Sequence, residues 1–151
     1  MSLTFRQAVE ADLPFIVQLL TEDAVRATDD RPDEPFHPRY VTALHELAAD
    51  PNQMMMVAVL DGETVGTLQL TFIPGIAGLG TRRCLVEAVH IAPTHRSRGL
   101  GTEMIHWAIA QARERGCGMV QLTSNKKRLA AHRFYERLGF LKSHEGFKYY
   151  L

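Results

Sequence analysis

The chain has 151 residues, of which 46% are hydrophobic and 23% are charged, a composition typical of a globular domain with its own core. Seventeen basic and seventeen acidic residues cancel, which excludes a general electrostatic attraction to nucleic acid or to an anionic membrane surface. The apolar runs are too short to cross a bilayer, and the first residues lack the pattern of a secretory signal. We therefore expect one domain over residues 1–151, with no nucleic-acid or membrane partner.

The first half of the chain predicts a strand, two helices and a hairpin. Residues 3–9 alternate as a strand does, and the apolar spacing that follows is that of a helix capped by Asp12. Residues 21–40 are polar and rich in proline, so we expect a long surface loop. Residues 40–50 carry apolar side chains at three- and four-residue steps and predict a second helix. Residues 54–73 hold an Asp-Gly pair between two apolar runs, the pattern of a hairpin with a type I′ turn.

The second half alternates strands and helices. Residues 82–93 predict a strand, and residues 100–115 predict a helix. One face of this helix is apolar, with Leu100, Met104, Ile105, Ala108 and Ala112. Residues 118–124 predict the next strand, residues 126–138 the next helix, and residues 140–151 a closing strand or hairpin. The order β-α-α-β-β-β-α-β-α-β places the chain in the α/β class, around one mixed sheet.

A basic stretch with two glycines, RSRGLG at residues 96–101, lies where the strand gives way to the helix. The first N–H groups of a helix are unpaired and lie at the positive end of its macrodipole, so anions bind there. Glycine lets the backbone approach such an anion closely. The stretch is neither a P-loop nor a dinucleotide fingerprint. Taken alone, it predicts either a phosphate-binding loop or an ordinary strand-to-helix turn.

Two motifs together resemble the GNAT superfamily of acetyl-CoA-dependent N-acetyltransferases. Residues 96–101 fit its R/Q-x-x-G-x-G/A loop, and AAHRFYERLGF at residues 130–140 fits its second signature, a helix ending in FYE-x-x-GF. Within the superfamily, residues 47–66 and 124–140 are most similar to the aminoalkylphosphonate N-acetyltransferases. The resemblance implies the GNAT fold, a mixed central sheet flanked by about four helices. It also implies an enzyme that moves the acetyl group of acetyl-CoA, its cosubstrate, to an amine.

The resemblance also implies how acetyl-CoA would bind. The loop would hold the pyrophosphate, mostly by backbone N–H groups, through Arg96, Ser97, Arg98, Gly99, Leu100, Gly101 and Thr102. The pantetheine arm would pair like an added strand with the backbone of Val89, His90 and Ile91, which requires the sheet to splay after this strand. Asn125 and Arg128 are further candidate contacts, although many relatives carry asparagine where Arg128 stands. The basic side chains of residues 126–133 would contact the 3′-phosphate or form a solvated helix face.

Tyr135 is the candidate general acid. It stands inside the FYE motif, and the resemblance implies that its hydroxyl protonates the departing thiolate of coenzyme A. The alternative is an ordinary half-buried tyrosine that packs beside Phe134 and Leu138.

Glu87 is the candidate general base. It interrupts an apolar strand, and only about one primary amine in a thousand is neutral at pH 7, so a group must accept the ammonium proton. The alternative is a structural carboxylate bonded to Arg82 or Arg83. Strand alternation predicts its side chain on the same face as Val89 and Ile91, with His90 on the other face as a structural residue.

Several further features are predicted. Four acids in the polar segment form either an anionic lip for a cationic acceptor or a solvated loop: Asp29, Asp30, Asp33 and Glu34.

The two cysteines, Cys84 and Cys117, have no metal spacing and indicate thiols in a reducing cytoplasm. Neither lies in a motif, so we expect direct attack by the amine in a ternary complex rather than an acyl-enzyme. The histidines show no metal-binding spacing, and we expect no metal.

The expected activity is acetylation of a small primary amine, such as an aminoalkylphosphonate, an amino acid or a polyamine. Acetylation of a protein lysine or N-terminus is the alternative within the same class. A non-catalytic acetyl-CoA sensor is the alternative from another class, and it predicts that Tyr135 and Glu87 are dispensable. A homodimer is one assembly to test.

Overall fold

The computed structural model describes residues 2–22, 24–25 and 27–151. Its centre is a five-stranded sheet in the order β1-β2-β3-β4-β5. The strands are β1 (Thr4–Gln7), β2 (Gln53–Leu60), β3 (Glu63–Ile73), β4 (Arg83–Ile91) and β5 (Met119–Gln121). The first four are antiparallel to their neighbours, and β5 runs parallel to β4. The predicted mixed sheet and α/β class are confirmed.

Four helices cover the two faces of the sheet: α1 (Leu13–Glu22), α2 (Pro38–Ala49), α3 (Leu100–Glu114) and α4 (Leu129–Arg137). Apolar residues of α1 and α2 pack against Val57 on one face, and those of α3 and α4 pack on the other. The buried residues of α3 are the five that were predicted. The predicted loop of residues 21–40 is shorter, because α1 extends to Glu22 and α2 begins at Pro38; two of its residues, Asp23 and Arg26, lie outside the described ranges.

The hairpin between β2 and β3 has the predicted turn. Asp61 and Gly62 both have positive φ, 51° and 82°, as a type I′ turn requires at its two central positions. Glycine adopts this conformation without the steric cost that a Cβ imposes. The turn fixes the register that pairs Leu60 with Glu63.

The predicted closing strand or hairpin of residues 140–151 is wrong. Residues 141–151 have no regular secondary structure and are exposed along their whole length. The alternation in this segment is that of a strand, but a strand also needs a neighbouring edge to pair with, and the segment does not pair with its own sheet.

Asp12 does not cap α1 as predicted. It lies in a 3₁₀ turn (Glu10–Asp12) directly before the helix. Its carboxylate instead forms two 2.8 Å hydrogen bonds with the Arg6 guanidinium and accepts the Val9 N–H at 2.8 Å. The pKa of Asp12 lies below its usual value, and the hydrogen bonds from Arg6 are the largest cause. The buried carboxylate thus joins β1 to the start of α1.

Asp12→Asn is expected to lower the free energy of unfolding by about 1–2 kcal/mol at pH 7, because it removes charge-assisted hydrogen bonds. The effect is no larger because Arg6 is half-exposed and solvent partly screens the pair. A carboxyl with a depressed pKa stabilises the fold above its unfolded pKa, and this contribution disappears as the pH falls through the folded value. The difference in stability should therefore begin to shrink below about pH 4 and disappear as the pH falls through the depressed pKa of folded Asp12. Urea unfolding across this range measures the difference. Glu34→Gln, which breaks the exposed pair with Arg31, should change stability by less than about 0.5 kcal/mol.

Candidate active site

A cleft opens where β4 and β5 part. The two strands pair only as far as Leu85 and Gln121, whereas β4 continues to Ile91. The splay that an added pantetheine strand requires is therefore present. The cleft has a volume of about 90 Å³ and is lined by Val86, Glu87, Ala88, Val89, His90, Leu122, Thr123, Ser124, Arg128 and Tyr135.

A β-bulge at Ala88 changes which side chains share a face of β4. Ala88 has φ 50°, and the pairing with β3 shifts from Gln69↔Glu87 to Thr67↔His90. The bulge inserts one extra residue and so reverses the alternation beyond it. The prediction that Glu87 shares a face with Val89 and Ile91 is therefore wrong, and so is the placement of His90 on the other face from Glu87.

Glu87 and His90 instead lie together on the face that α1 and α2 cover. Their β3 neighbours, Gln69 and Thr67, are two residues apart and therefore share this face. Val89 and Ile91 pack against the opposite core, with α3 and α4. The bulge thus gives one strand a polar face toward the site and an apolar face toward the core.

The open edge of β4 offers backbone groups to an extended ligand. The Ala92 N–H donates to the Val65 carbonyl at 2.8 Å, so alternation directs the His90 backbone toward β3 and the backbones of Val89 and Ile91 toward the cleft. The Ile91 carbonyl already accepts a 3.1 Å bond from Nε of Arg96. Of the three residues predicted to pair with pantetheine, two have backbones that face the open side.

Tyr135 is half-buried in the cleft. Its ring contacts those of Phe134 and Phe140, with centroids 5.1 and 5.7 Å away. Burial raises the pKa of its hydroxyl, and the positive charge of Arg128 opposes this in part. A phenol with a raised pKa is protonated at neutral pH, which is the state that a general acid needs.

Glu87 is exposed to the cleft and has no hydrogen-bond or ion-pair partner within the described part of the chain. The two arginines that were its alternative partners bind elsewhere. Arg82 donates to Oδ1 of Asn52 at 2.9 Å, and Arg83 donates to Oε1 of Gln121 at 3.5 Å. The geometry therefore gives no support to the structural alternative for Glu87.

The glycine-containing loop leads directly into α3. Gly99 precedes the helix in the left-handed conformation with φ 77°, and Ser97 has φ 62°. The loop is exposed, and α3 is long enough for its first N–H groups to form an anion site. Glu22 lies 3.8 Å from the Arg96 guanidinium, so this side chain is directed toward α1.

The two candidate contacts at the start of α4 are placed differently. Arg128 lines the cleft. Asn125 is not among the lining residues; its Oδ1 accepts the Lys127 N–H at 2.9 Å and its carbonyl contacts Nε2 of His132 at 2.8 Å. Asn125 therefore shapes the turn before the helix.

The structure adds site residues that the motifs do not contain. Leu122, Thr123 and Ser124 follow β5 and form one wall of the cleft. Oγ of Ser124 is buried and has no hydrogen-bond partner in the described residues. Two polar residues at the end of a predicted strand are the signal that was present in the sequence.

Two of the four acids in the polar segment have side-chain partners, and two are exposed. Asp30 accepts a 2.9 Å bond from the Tyr40 hydroxyl, and Glu34 pairs with Arg31 at 3.3 Å. Asp29 and Asp33 are exposed. Two of the four acids are therefore bonded within the segment, and the anionic lip stays a prediction.

Cys84 is buried on the core side of β4, and burial raises its pKa to about 11. It is not a nucleophile at neutral pH. In the described ranges, no group of three or more His, Cys, Asp or Glu side chains could hold a metal ion, and no helix has the length and apolar character to cross a membrane.

The fold and the cleft agree with a family match. The model of the acetyltransferase (GNAT) family matches residues 14–140, and the chain belongs to this family. The resemblance of the two motifs and the predicted GNAT fold are confirmed.

Three relatives show the range of similar proteins. The aminoalkylphosphonate N-acetyltransferase of Salmonella typhimurium is 34% identical over 95 residues, 63% of this chain and 61% of that protein. The crystal structure of a transcriptional regulator from Bacillus halodurans C-125 is 40% identical, with a TM-score of 0.92 and 99% of both chains covered. The N-alpha-acetyltransferase MAK3 of Arabidopsis thaliana is 27% identical over 95% of this chain and 68% of that protein. The chain spans 46% to 61% of the length of the first curated relatives that it matches.

Gly99→Ala is expected to weaken acetyl-CoA binding by roughly 5- to 30-fold. A Cβ at φ 77° costs about 1–2 kcal/mol, and the exposed loop relaxes rather than the helix, so the N–H groups turn away from the phosphate. Gly116→Ala is the matched control, because it adds a Cβ at a similar φ of 70° with nothing within 4 Å, after the opposite end of α3. Calorimetric titration measures both affinities, and equal values for the two variants would contradict this role of the loop.

Proposed function

We propose that this chain is an acetyl-CoA-dependent N-acetyltransferase that acts on the primary amine of a small molecule by direct attack in a ternary complex. One observation carries the proposal. The divergence of β4 from β5 leaves a cleft that Glu87 and Tyr135 both line, from opposite faces of the sheet. A carboxylate and a phenol that line one cleft are candidates for the two proton-transfer roles of this reaction.

The proposed cosubstrate contacts follow from the same geometry. The backbones of Val89 and Ile91 pair with the amide groups of an extended arm along the open edge. The loop at residues 96–102 receives the pyrophosphate at the N-terminus of α3. Arg128, at the mouth of the cleft, provides positive charge for a further phosphate group.

The proton balance assigns one role to each catalytic residue. The amine nitrogen attacks the thioester carbon, a C–N bond forms and the C–S bond breaks. Glu87 accepts the first proton of the ammonium group before attack and passes it to water, and it accepts the second proton of the nitrogen after the C–N bond has formed. The hydroxyl of Tyr135 gives a proton to the leaving sulfur. Exchange with water returns both groups to their starting states. No side chain of the protein is acylated, which agrees with the buried Cys84.

The substrate class rests on relatives as well as on geometry. A curated relative at 34% identity is named for aminoalkylphosphonates, and the cleft is lined by side chains that could receive a primary amine. N-terminal acetylation of a protein is the second candidate, because the alignment with the N-alpha-acetyltransferase covers 95% of the chain.

A panel of acceptors tests the proposal. Thiol release from acetyl-CoA is followed with aminoalkylphosphonates, amino acids, polyamines and peptides with free N-termini or lysines. We expect at least one small amine to exceed every peptide in kcat/KM by about 100-fold. Preference for a peptide would establish the second candidate. Tight acetyl-CoA binding without turnover of any amine would favour the sensor.

A further inference from the structure

Arg96, the first residue of the glycine-containing loop, is bonded to parts of the chain that precede the loop. Its Nε donates to the Ile91 carbonyl at 3.1 Å, and its guanidinium lies 3.8 Å from the carboxylate of Glu22 at the end of α1. Its backbone N–H donates to the Pro93 carbonyl at 3.4 Å. Both the side chain and the backbone donor of Arg96 are therefore engaged within the protein.

The loop changes character after Arg96. Within the described part of the chain, the N–H groups of Ser97, Arg98 and Gly99 donate no hydrogen bond. Ser97 and Gly99 both have positive φ, and successive N–H groups in such a turn form a concave surface that accepts an anion. The side chain of Arg98 is exposed. We therefore expect residues 97–99 to supply the donors for a phosphate group, whereas the donors of Arg96 are already used.

The residue before Arg96 is held in a similar way. Nδ1 of His95 contacts Oγ1 of Thr94 at 2.9 Å, and Nε2 of its ring lies 3.8 Å from the carboxylate of Glu63, the first residue of β3. The side chain of His95 is only 14% exposed. Two consecutive basic side chains thus attach the connection between β4 and the loop to α1 and to the β2–β3 hairpin.

We propose that Arg96 is a positioning residue for acetyl-CoA, whose Nε–H holds the Ile91 carbonyl and so fixes the open edge of β4 relative to the N–H groups of residues 97–99. Ile91 is the last residue of β4, and its backbone faces the cleft. The inference rests on the proposed function, because a ligand that pairs with this edge and also reaches the loop contacts both ends of the connection at once. A connection that is fixed before binding lowers the entropy that binding costs.

The group that matters in this role is the Nε–H and not the positive charge. In arginine and in glutamine, the nitrogen bonded to Cδ carries a hydrogen, so glutamine can donate to the Ile91 carbonyl from the same place in the side chain. The motif that residues 96–101 fit, R/Q-x-x-G-x-G/A, admits either residue at this position. A neutral amide would not replace the charge of a guanidinium on a phosphate group, but it replaces a donor to a carbonyl.

The same two substitutions at two arginines test this role. Arg96→Leu removes the donor and the charge, whereas Arg96→Gln removes the charge and keeps a donor. We expect calorimetry to give a Kd for acetyl-CoA about tenfold weaker than wild type for Arg96→Leu and within about threefold for Arg96→Gln. At exposed Arg98, leucine and glutamine should weaken binding equally, because both remove a charge that contacts phosphate. Equal affinities for the two Arg96 variants would overturn the proposal.

Glu22→Gln tests whether the ion pair, rather than the bond to Ile91, holds the loop. The pair with Arg96 is 3.8 Å long and partly exposed, so its loss should change the Kd for acetyl-CoA by less than about twofold. A loss as large as that of Arg96→Leu would mean that α1 positions the loop, and would refute the role of the Ile91 carbonyl.

Limited proteolysis without any ligand separates this inference from the proposed function. Trypsin cleaves after Arg98 when the loop opens, and both Arg96 variants lack the neighbouring cleavage site at residue 96. We expect Arg96→Leu to be cut after Arg98 at least about fivefold faster than Arg96→Gln, because local opening becomes easier when the bond to Ile91 is lost. Equal cleavage rates would overturn this role of Arg96 alone. Wild-type protein that fails to bind acetyl-CoA would contradict the proposed function instead.

Discussion

Tyr135→Phe is expected to lower kcat by about 10²–10⁴-fold while the Kd for acetyl-CoA changes little. Phenylalanine keeps the ring contacts with Phe134 and Phe140 and removes only the hydroxyl. Burial raises the pKa of that hydroxyl, so the proton is present at neutral pH. Because the proton matters as charge develops on sulfur, its loss appears in kcat and not in ground-state binding. Steady-state thiol release and calorimetric titration measure the two quantities.

Tyr149→Phe provides the control for this variant. It makes the same chemical change at an exposed tyrosine outside the cleft, and we expect kcat within about twofold of wild type. If Tyr135→Phe loses less than about threefold while acetyl transfer is shown to limit the rate, Tyr135 is a packing residue. A coenzyme A thiolate is a fair leaving group and depends less on a general acid than a poor one does. We therefore expect the fall in kcat to lie toward the lower end of the range.

The helical half of the fold is predictable because its signals are local. The buried positions of α3 recur at three- and four-residue steps, and Met104, Ile105 and Ala108 occupy the core as that spacing predicts. The Asp-Gly turn fixes its hairpin in the same way, since positive φ at two adjacent positions restricts the residue types there.

The polar face of β4 was not predictable from alternation. The bulge lies at Ala88, which has φ 50°. Alanine is not a residue type that indicates a positive φ, so the sequence does not mark the position of the bulge. A period-two count through this residue assigns every following side chain to the wrong face. The separation of Glu87 from Val89, and its grouping with His90, therefore follow from the pairing with β3 and not from the strand alone.

The prediction of a closing strand or hairpin at residues 140–151 was wrong for a different reason. Phe147, Tyr149 and Leu151 alternate as a strand does, and that local prediction of period is sound. Pairing is a non-local property, however, and the strand forms only where an edge is available. A single sequence does not say whether that edge belongs to the same chain or to a second copy.

Glu87→Gln is expected to lower kcat/KM at pH 7 by about 10²–10⁴-fold, with acetyl-CoA affinity preserved. Glutamine keeps the size of the side chain and removes the carboxylate that accepts the ammonium proton. The loss should shrink as the pH rises toward the pKa of the amine, about 10, because the acceptor then arrives already neutral. The kcat/KM of the variant should therefore follow the neutral fraction of the amine as the pH changes.

His90→Gln is the matched control, because the bulge places His90 on the same face as Glu87 and imidazole is a frequent general base. If Glu87 is the base, kcat/KM of His90→Gln at pH 7 stays within about threefold of wild type. If His90→Gln shows the large loss at pH 7 and Glu87→Gln does not, the base is His90. Both variants keep the bulge, since Ala88 is unchanged, so the comparison isolates the proton acceptor from the backbone that positions it. The kcat/KM values of the two variants at pH 7 therefore decide which of the two side chains takes the proton from the amine.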